Sequence, residues 1–247
     1  KDISLMSPQH LRVRPETKNS PRFARKKKRI MSISTEVLSW AGDMDQKLKR
    51  KSVAVRNAFF DVQQRAPGDS HQADVPPATQ LLRHKSKAGL DLKLELTYLW
   101  IAGSTNLDPK TQKAHTIFID DADMANLMGL NKPETLGKRV IAGSRTRLER
   151  VGLISVERNK GKTSVVTLLD ESGNGDAYIP PGDRESGGQG RYTKLRTQFW
   201  TNGWHLNLDG KAVAALLVIL HLSEMKGGGV WRSPNERTER HGFSDDV

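Results

Sequence analysis

One stretch of the chain, residues 116–170, restricts the possible folds more than any other. A short β-branched segment, 116–119, precedes three aspartates whose carboxylates can accept hydrogen bonds from the free N–H groups of a helix N-terminus. The apolar spacing predicts a helix over residues 122–128, and Gly129 ends it. Ala125, four residues before that glycine, is small enough to let a second helix pack closely. The pattern predicts a short strand, a helix and a tight turn.

A second helix and a hairpin follow this turn. Pro133 can occupy the first position of a helix that continues to Val151, because proline needs no N–H donor there, and Gly152 suits the residue that ends it. Two β-rich runs, residues 153–158 and 163–169, flank a polar tip and predict a β-hairpin. Strand, helix, glycine turn, helix and hairpin is the element order of a winged helix-turn-helix.

The join between the second helix and the hairpin carries a family resemblance. Residues 148–154, with the sequence LERVGLI, resemble the junction of recognition helix and wing in many winged-helix DNA-binding proteins. The resemblance covers residues 90–170 and implies binding to double-stranded DNA. Residues 90–104 are predicted to form the first helix of this unit. Its side chains predicted to face the core are Leu92, Leu96, Leu99 and Trp100.

Helical geometry divides the second helix into two faces. The face predicted to pack inward consists of Val140, Ile141, Ser144, Leu148 and Val151. A recognition helix enters the major groove with its N-terminal half leading, where arginine can bond guanine and threonine can meet a thymine methyl. The residues predicted to contact base edges are Arg139, Ala142, Gly143 and Thr146. Arg150 is predicted to lie on the same outward face and to contact DNA, and the residues predicted to flank that face, holding phosphates or sharing base contacts, are Lys138, Arg145 and Arg147.

Basic side chains outside this helix extend the predicted DNA contact. The hairpin residues predicted to reach the DNA backbone or the minor groove are Arg158, Lys160 and Lys162. Residues 1–32 are predicted to be a flexible basic arm, and its densest charges are Arg25, Lys26, Lys27, Lys28 and Arg29. Such an arm either follows phosphates or serves as a solubilising or localisation tail. The whole chain has a formal net charge of +12, which favours a polyanionic partner.

The predicted organisation has further parts on both sides of the winged unit. Residues 33–65 are predicted to form an amphipathic helix whose apolar stripe, over 35–62, packs on the first domain or makes a homodimer contact. Residues 66–89 are predicted to be a loop. Residues 171–190 are rich in glycine and proline and predict a flexible linker at a domain boundary.

Residues 191–247 are predicted to be a second, truncated winged-helix-like domain. An extended aromatic segment at 199–208 precedes a helix at 211–225 that is apolar nearly all round and should be buried, followed by a helix at 233–241. This order repeats the first unit without its recognition helix and wing, so we expect the natural chain to continue past Val247. The domain is an alternative site for a homodimer contact.

The predicted fold class is therefore mainly α with small β-hairpins (α+β), as two winged helix-turn-helix units in tandem with the second incomplete. A tandem arrangement is similar to that of plasmid replication initiators. The absence of cysteine excludes disulfides and thiolate metal sites, and the histidines are scattered. Residues 161–164 imitate the end of a phosphate loop but lack its earlier glycine and following helix. We expect no catalytic activity, no metal and no cofactor.

The functional hypothesis is a sequence-specific double-stranded DNA-binding protein, either a transcription regulator or a replicon-control protein. One alternative is a plasmid or mobile-element replication initiator, and another is a winged-helix protein-interaction module. No apolar run approaches the ~20 residues that a membrane helix needs, so we expect no membrane partner. A cytoplasmic, nucleoid-associated location fits these expectations.

Overall fold

The helices of the protein surround one long central helix in a computed structural model. The described residues are 35–49, 51–62, 75–83, 89–102, 115–158, 163–181, 190–224 and 233–242. The helices, in chain order, are α1 (Thr35–Leu48), α2 (Pro77–Arg83), α3 (Leu90–Ala102), α4 (Asp121–Leu127), α5 (Lys138–Arg150), α6 (Gln198–Thr201), α7 (Trp204–Asn207), α8 (Gly210–Glu224) and α9 (Pro234–His241). A 3-10 turn at Asn57–Phe59 and a π-helical turn at Pro133–Gly137 complete the helical elements described.

Two small antiparallel sheets accompany the helices. The strands are β1 (Ser52–Arg56), β2 (Thr116–Ile117), β3 (Ile154–Glu157), β4 (Val165–Leu168) and β5 (Tyr192–Arg196). One sheet has the order β2-β4-β3, and the other pairs β1 with β5. The hairpin predicted after the second helix is confirmed, with Ile154 opposite Leu168 and Glu157 opposite Val165. A mostly helical fold with small antiparallel sheets is the predicted α+β class.

Helix α3 is the centre of the core, because every one of its residues is buried. It contacts α2, α5, α8 and β1, so no side of it faces water. Its Trp100 ring stacks on Trp200 from α6 with the ring centroids 4.7 Å apart. The indole Nε1 of Trp200 donates to the Thr97 hydroxyl at 3.0 Å, which satisfies a polar group that burial would otherwise penalise. The predicted inward side chains of this helix are confirmed.

The predicted helix, glycine turn and second helix are also present. The Asp120 side chain caps α4 by accepting from the Ala122 N–H at 2.7 Å. Gly129 follows with φ of +62°, a left-handed conformation that suits glycine. A Cβ placed on Gly137 would lie only 2.7 Å from the Cβ of Ala125. The two helices therefore approach closely where both residues are small, as predicted for Ala125.

The amphipathic helix predicted over residues 33–65 is wrong beyond Leu48 in the part of it that the structure describes. Lys49 has a left-handed φ of +50°, and the chain then enters β1. Val53 and Val55 are buried while the residues before each are partly exposed, which is the two-residue alternation of a strand. The predicted loop over 66–89 is wrong at Pro77–Arg83, where α2 forms.

The structure also corrects the start of the predicted linker and the separate second domain, while residues 182–189 of that linker lie outside the described residues. Residues 34–247 form one compact unit. The side chain of Glu171, at the start of the expected linker, is fully buried against Arg56 of β1. His205 of α7 places its ring Nε2 3.1 Å from the Leu127 carbonyl oxygen at the end of α4. Residues after 190 thus complete the same core instead of forming a second one.

The C-terminal elements match the predictions in part. Residues 199–208 are two short helices instead of an extended segment. The helix predicted over 211–225 is confirmed as α8, and Asp209 accepts from the Ala212 N–H at its start. Ile219 on that helix is 51% exposed, so the expectation that it is buried all round is wrong. Helix α9 begins with a capping box between Ser233 and Glu236.

The expected continuation past Val247 lies outside the described residues. Within the described ranges, no helix is long and apolar enough to cross a membrane.

Candidate nucleic-acid interface

The outer face of α5 consists of Arg139, Ala142, Gly143, Thr146 and Arg150, and it points away from the core. All of these residues are exposed except Gly143, which is partly exposed. On the opposite side of the helix, Ile141, Ser144 and Leu148 are fully buried. The prediction of two faces is confirmed at these positions. Arg139 makes no side-chain ion pair or hydrogen bond within the part of the chain that the structure describes.

Two apolar residues lie at one edge of this outer face, where sequence reasoning did not place them. Val140 was predicted to pack inward but is 39% exposed, which corrects that expectation. Leu136, in the π-helical turn that leads into α5, is 52% exposed. An apolar residue at the border of a helical wheel is assigned inward by hydropathy alone. Whether such a residue is buried or exposed depends on where the neighbouring α3 packs against the helix.

Arg145 was predicted to flank the outer face, and the structure corrects this. Its side chain is buried, and its Nε donates to the Tyr98 hydroxyl at 2.7 Å. The same guanidinium forms an ion pair with Asp121 at the start of α4 and donates to the Ile119 carbonyl. Burial raises the pKa of Tyr98 to about 12, although the nearby Arg145 charge opposes the rise. Arg145 therefore joins α5 to α3 and α4 and is not presented to a ligand.

Arg147 is held in one orientation by a carboxylate from the central helix. Its Nε and Nη2 donate to the two oxygens of Asp91 at 2.6 and 2.8 Å, and Ser144 donates to the same carboxylate at 2.6 Å. The Asp91 side chain is fully buried, whereas that of Arg147 is 28% exposed. The hydrogen bonds to Asp91 raise the pKa of Arg147. Its Nη1 lies 3.4 Å from where a Gly143 Cβ would stand, beside the outer face.

Two more of the predicted contact residues make ion pairs at the surface. The Lys138 Nζ lies 3.4 Å from an Asp120 oxygen and 3.3 Å from a Glu134 oxygen. Arg158, at the end of β3, donates to Glu149 of α5 at 3.0 Å. This hydrogen bond is the main cause of a lowered Glu149 pKa. Exposed pairs of this kind are weak because water and salt screen them, so a phosphate can replace the carboxylate.

The remaining predicted contact residues fall outside the described residues. They are Lys160 and Lys162 of the hairpin tip and Arg25, Lys26, Lys27, Lys28 and Arg29 of the arm. Among the side chains that the structure describes, no group of three or more histidines and acids could hold a metal ion.

The chain was compared with known proteins. No protein-family model, no curated protein and no solved structure matches it.

Proposed function

We propose that this protein binds double-stranded DNA sequence-specifically through a winged helix-turn-helix, with α5 as the recognition helix and β3–β4 as the wing. It would act by occupying a site, as a transcription regulator or a replicon-control protein does. The outer face of α5 carries the proposal. It is exposed, it is basic, and its leading arginine, Arg139, has no internal partner among the described side chains.

The shape of this face supports contact with base edges. A major groove about 12 Å wide admits an α-helix, provided that its exposed side chains do not hold the backbone away. Ala142 and Gly143 are small and stand in the leading half of α5, next to Arg139. The helix can therefore approach a base pair closely while Arg139 reaches a guanine. Thr146, one turn beyond Ala142 and two turns beyond Arg139, is also exposed and continues this line of contacts.

The buried side of α5 supports the same function by fixing the helix. Arg145 and Arg147 are tied to Tyr98, Asp121 and Asp91 from other elements. A contact surface held by such bonds loses little conformational entropy when a ligand binds. The pairs of Lys138 and Arg158 lie at the two ends of the surface, where phosphates would flank the bases.

The direct test is selection of binding sites from a random DNA library with the purified full-length protein. We expect a defined motif to be enriched, and we expect affinity for it to fall as salt rises. The slope should be about −0.9 for each phosphate contacted, in a plot of log affinity against log salt concentration. A library that shows no enriched motif, together with no salt-dependent binding to duplex DNA, would overturn the proposal.

A further inference from the structure

Two large apolar side chains are exposed at the edge of the outer face of α5. Leu136 is 52% and Val140 39% exposed, and the other exposed large hydrophobics among the described residues are Phe118, Trp204 and Ile219. Leu136 and Val140 are four residues apart in one continuous helical run, so they lie on the same side on successive turns. Water contact of such side chains is unfavourable, which calls for an explanation at this position.

The neighbours of this pair limit what could cover it. Gly143 and Arg147 follow Val140 at three and seven residues, so they continue the same edge of the helix. The Arg147 guanidinium is fixed by Asp91, and its Nη1 lies beside Gly143. Along this edge, two apolar side chains are followed by a glycine and then by the guanidinium of Arg147.

This arrangement fits a DNA base better than a protein partner. A stable protein interface buries roughly 800 Å² on each side, far more than two side chains offer. The apolar group that a base pair presents in the major groove is the C5-methyl of thymine, which packs against apolar side chains. The Nη1 group of Arg147, at the end of the same edge, can donate to the phosphates or guanine acceptors that lie near that methyl.

We infer that Leu136 and Val140 recognise the C5-methyl group of a thymine within the DNA site. This inference rests on the proposed function, because it concerns the same surface of α5. It adds a preference for thymine to the guanine contact expected of Arg139. It also assigns the preference to two residues that helical periodicity did not place on the contact face.

The test uses deoxyuridine, which pairs like thymidine but lacks the C5-methyl group. Each thymine of the selected site is replaced in turn, and affinity is measured by fluorescence anisotropy. For the wild-type protein we expect at least one position to lose about fourfold in affinity, as burial of one methyl group implies. In Leu136→Ala and Val140→Ala the difference between thymine and uracil at that position should shrink toward none. Arg139→Ala should keep the difference.

Each outcome separates the inference from the proposed function. If wild type binds its site equally well with uracil at every position, the inference is overturned while the DNA-binding function stands. A difference that survives in both alanine variants also overturns it, since another residue such as Thr146 would then contact the methyl. Failure to bind any duplex overturns the proposed function itself. Val140→Thr, which keeps the branched shape, guards against misfolding, and we expect it to retain part of the preference.

Discussion

At the scale of single residues, two arginines of α5 show how one helix separates anchoring from contact. Arg145 is buried and paired with Asp121, while Arg147 is paired with the buried Asp91. A buried charge is costly unless it is paired and hydrogen-bonded, so these arginines fix the position of the helix. Arg139, on the outer face, is exposed and can form a new bond to a ligand.

The Asp91 anchor gives a prediction about stability. Asp91→Asn keeps the shape of the side chain but removes the charge that Arg147 and Ser144 share. We expect the free energy of unfolding, measured by urea denaturation at pH 7, to fall by about 1–3 kcal/mol. The matched control is Asp123→Asn on the exposed side of α4, which should change stability by less than about 0.5 kcal/mol. Equal stability of the Asp91 variant and wild type would show that the anchor contributes nothing.

At the scale of elements, the sequence correctly predicted the helices and strands that are specified by residues close together in the chain. Helices α4, α8 and α9 begin at capping side chains, and α5 ends before Gly152 with φ of +77°. The β3–β4 hairpin follows from two β-branched runs around a polar tip. A cap, a turn glycine and a short alternating run each act over a few residues, so a short stretch of sequence is enough to predict them.

The incorrect predictions concern residues whose structure depends on partners far away in the chain. The spacing of apolar residues around β1 also fits a helix, and it becomes a strand because β5, much later in the chain, pairs with it. Glu171 was assigned to a linker because glycines and prolines follow it. In the structure its side chain is buried and accepts a hydrogen bond from Arg56. Arg145 was placed outside because it is charged, and its partners again come from other elements.

The candidate site was predictable to a similar extent. Helical periodicity identified the outer face of α5, including Arg139 and Thr146, because that face depends only on the helix itself. It did not separate Val140 from the inner face, or Arg145 from the outer one. Those two assignments depend on where α3 and α4 lie against the helix.

At the scale of the whole molecule, the core contains ionisable groups with opposite pH effects. Burial raises the pKa of Glu171 to about 7, against the opposing charge of Arg56, and it raises the pKa of Glu95 as well. Neither carboxyl oxygen of Glu95 has a hydrogen-bond partner among the described residues. Burial lowers the pKa of His205 to about 4.

Proton linkage gives the direction in which each of these groups changes stability with pH. The raised pKa of Glu171 contributes stability that is complete below the unfolded value near 4.5 and is lost as pH rises through about 7. The raised pKa of Glu95 changes stability in the same direction. The lowered pKa of His205 contributes stability that is present above 6.5 and is lost as pH falls toward 4. The buried acids and His205 therefore change stability with pH in opposite directions.

Glu95→Gln separates these effects. The variant has no charge to bury, so we expect it to unfold with a free energy about 1–3 kcal/mol above wild type at pH 8. At pH 5 the difference should be much smaller, because this pH lies close to the ordinary pKa of a glutamate, where a raised folded-state pKa changes stability little. Thermal and urea denaturation across this range measure the difference. A gap between variant and wild type that is the same at both pH values would contradict the assignment, and the exposed Glu36→Gln is the control.

The most direct test of the central claim compares Arg139→Ala with wild type on the selected DNA site and on random duplex. We predict a loss of about 1–3 kcal/mol on the selected site, relaxed preference at one base pair and little change on random DNA. Arg196→Ala, an exposed arginine on β5, is the matched control and should leave both affinities near wild type. Equal losses on the two DNAs would make Arg139 a phosphate contact, and no loss on either would contradict the assignment of α5 as the recognition helix.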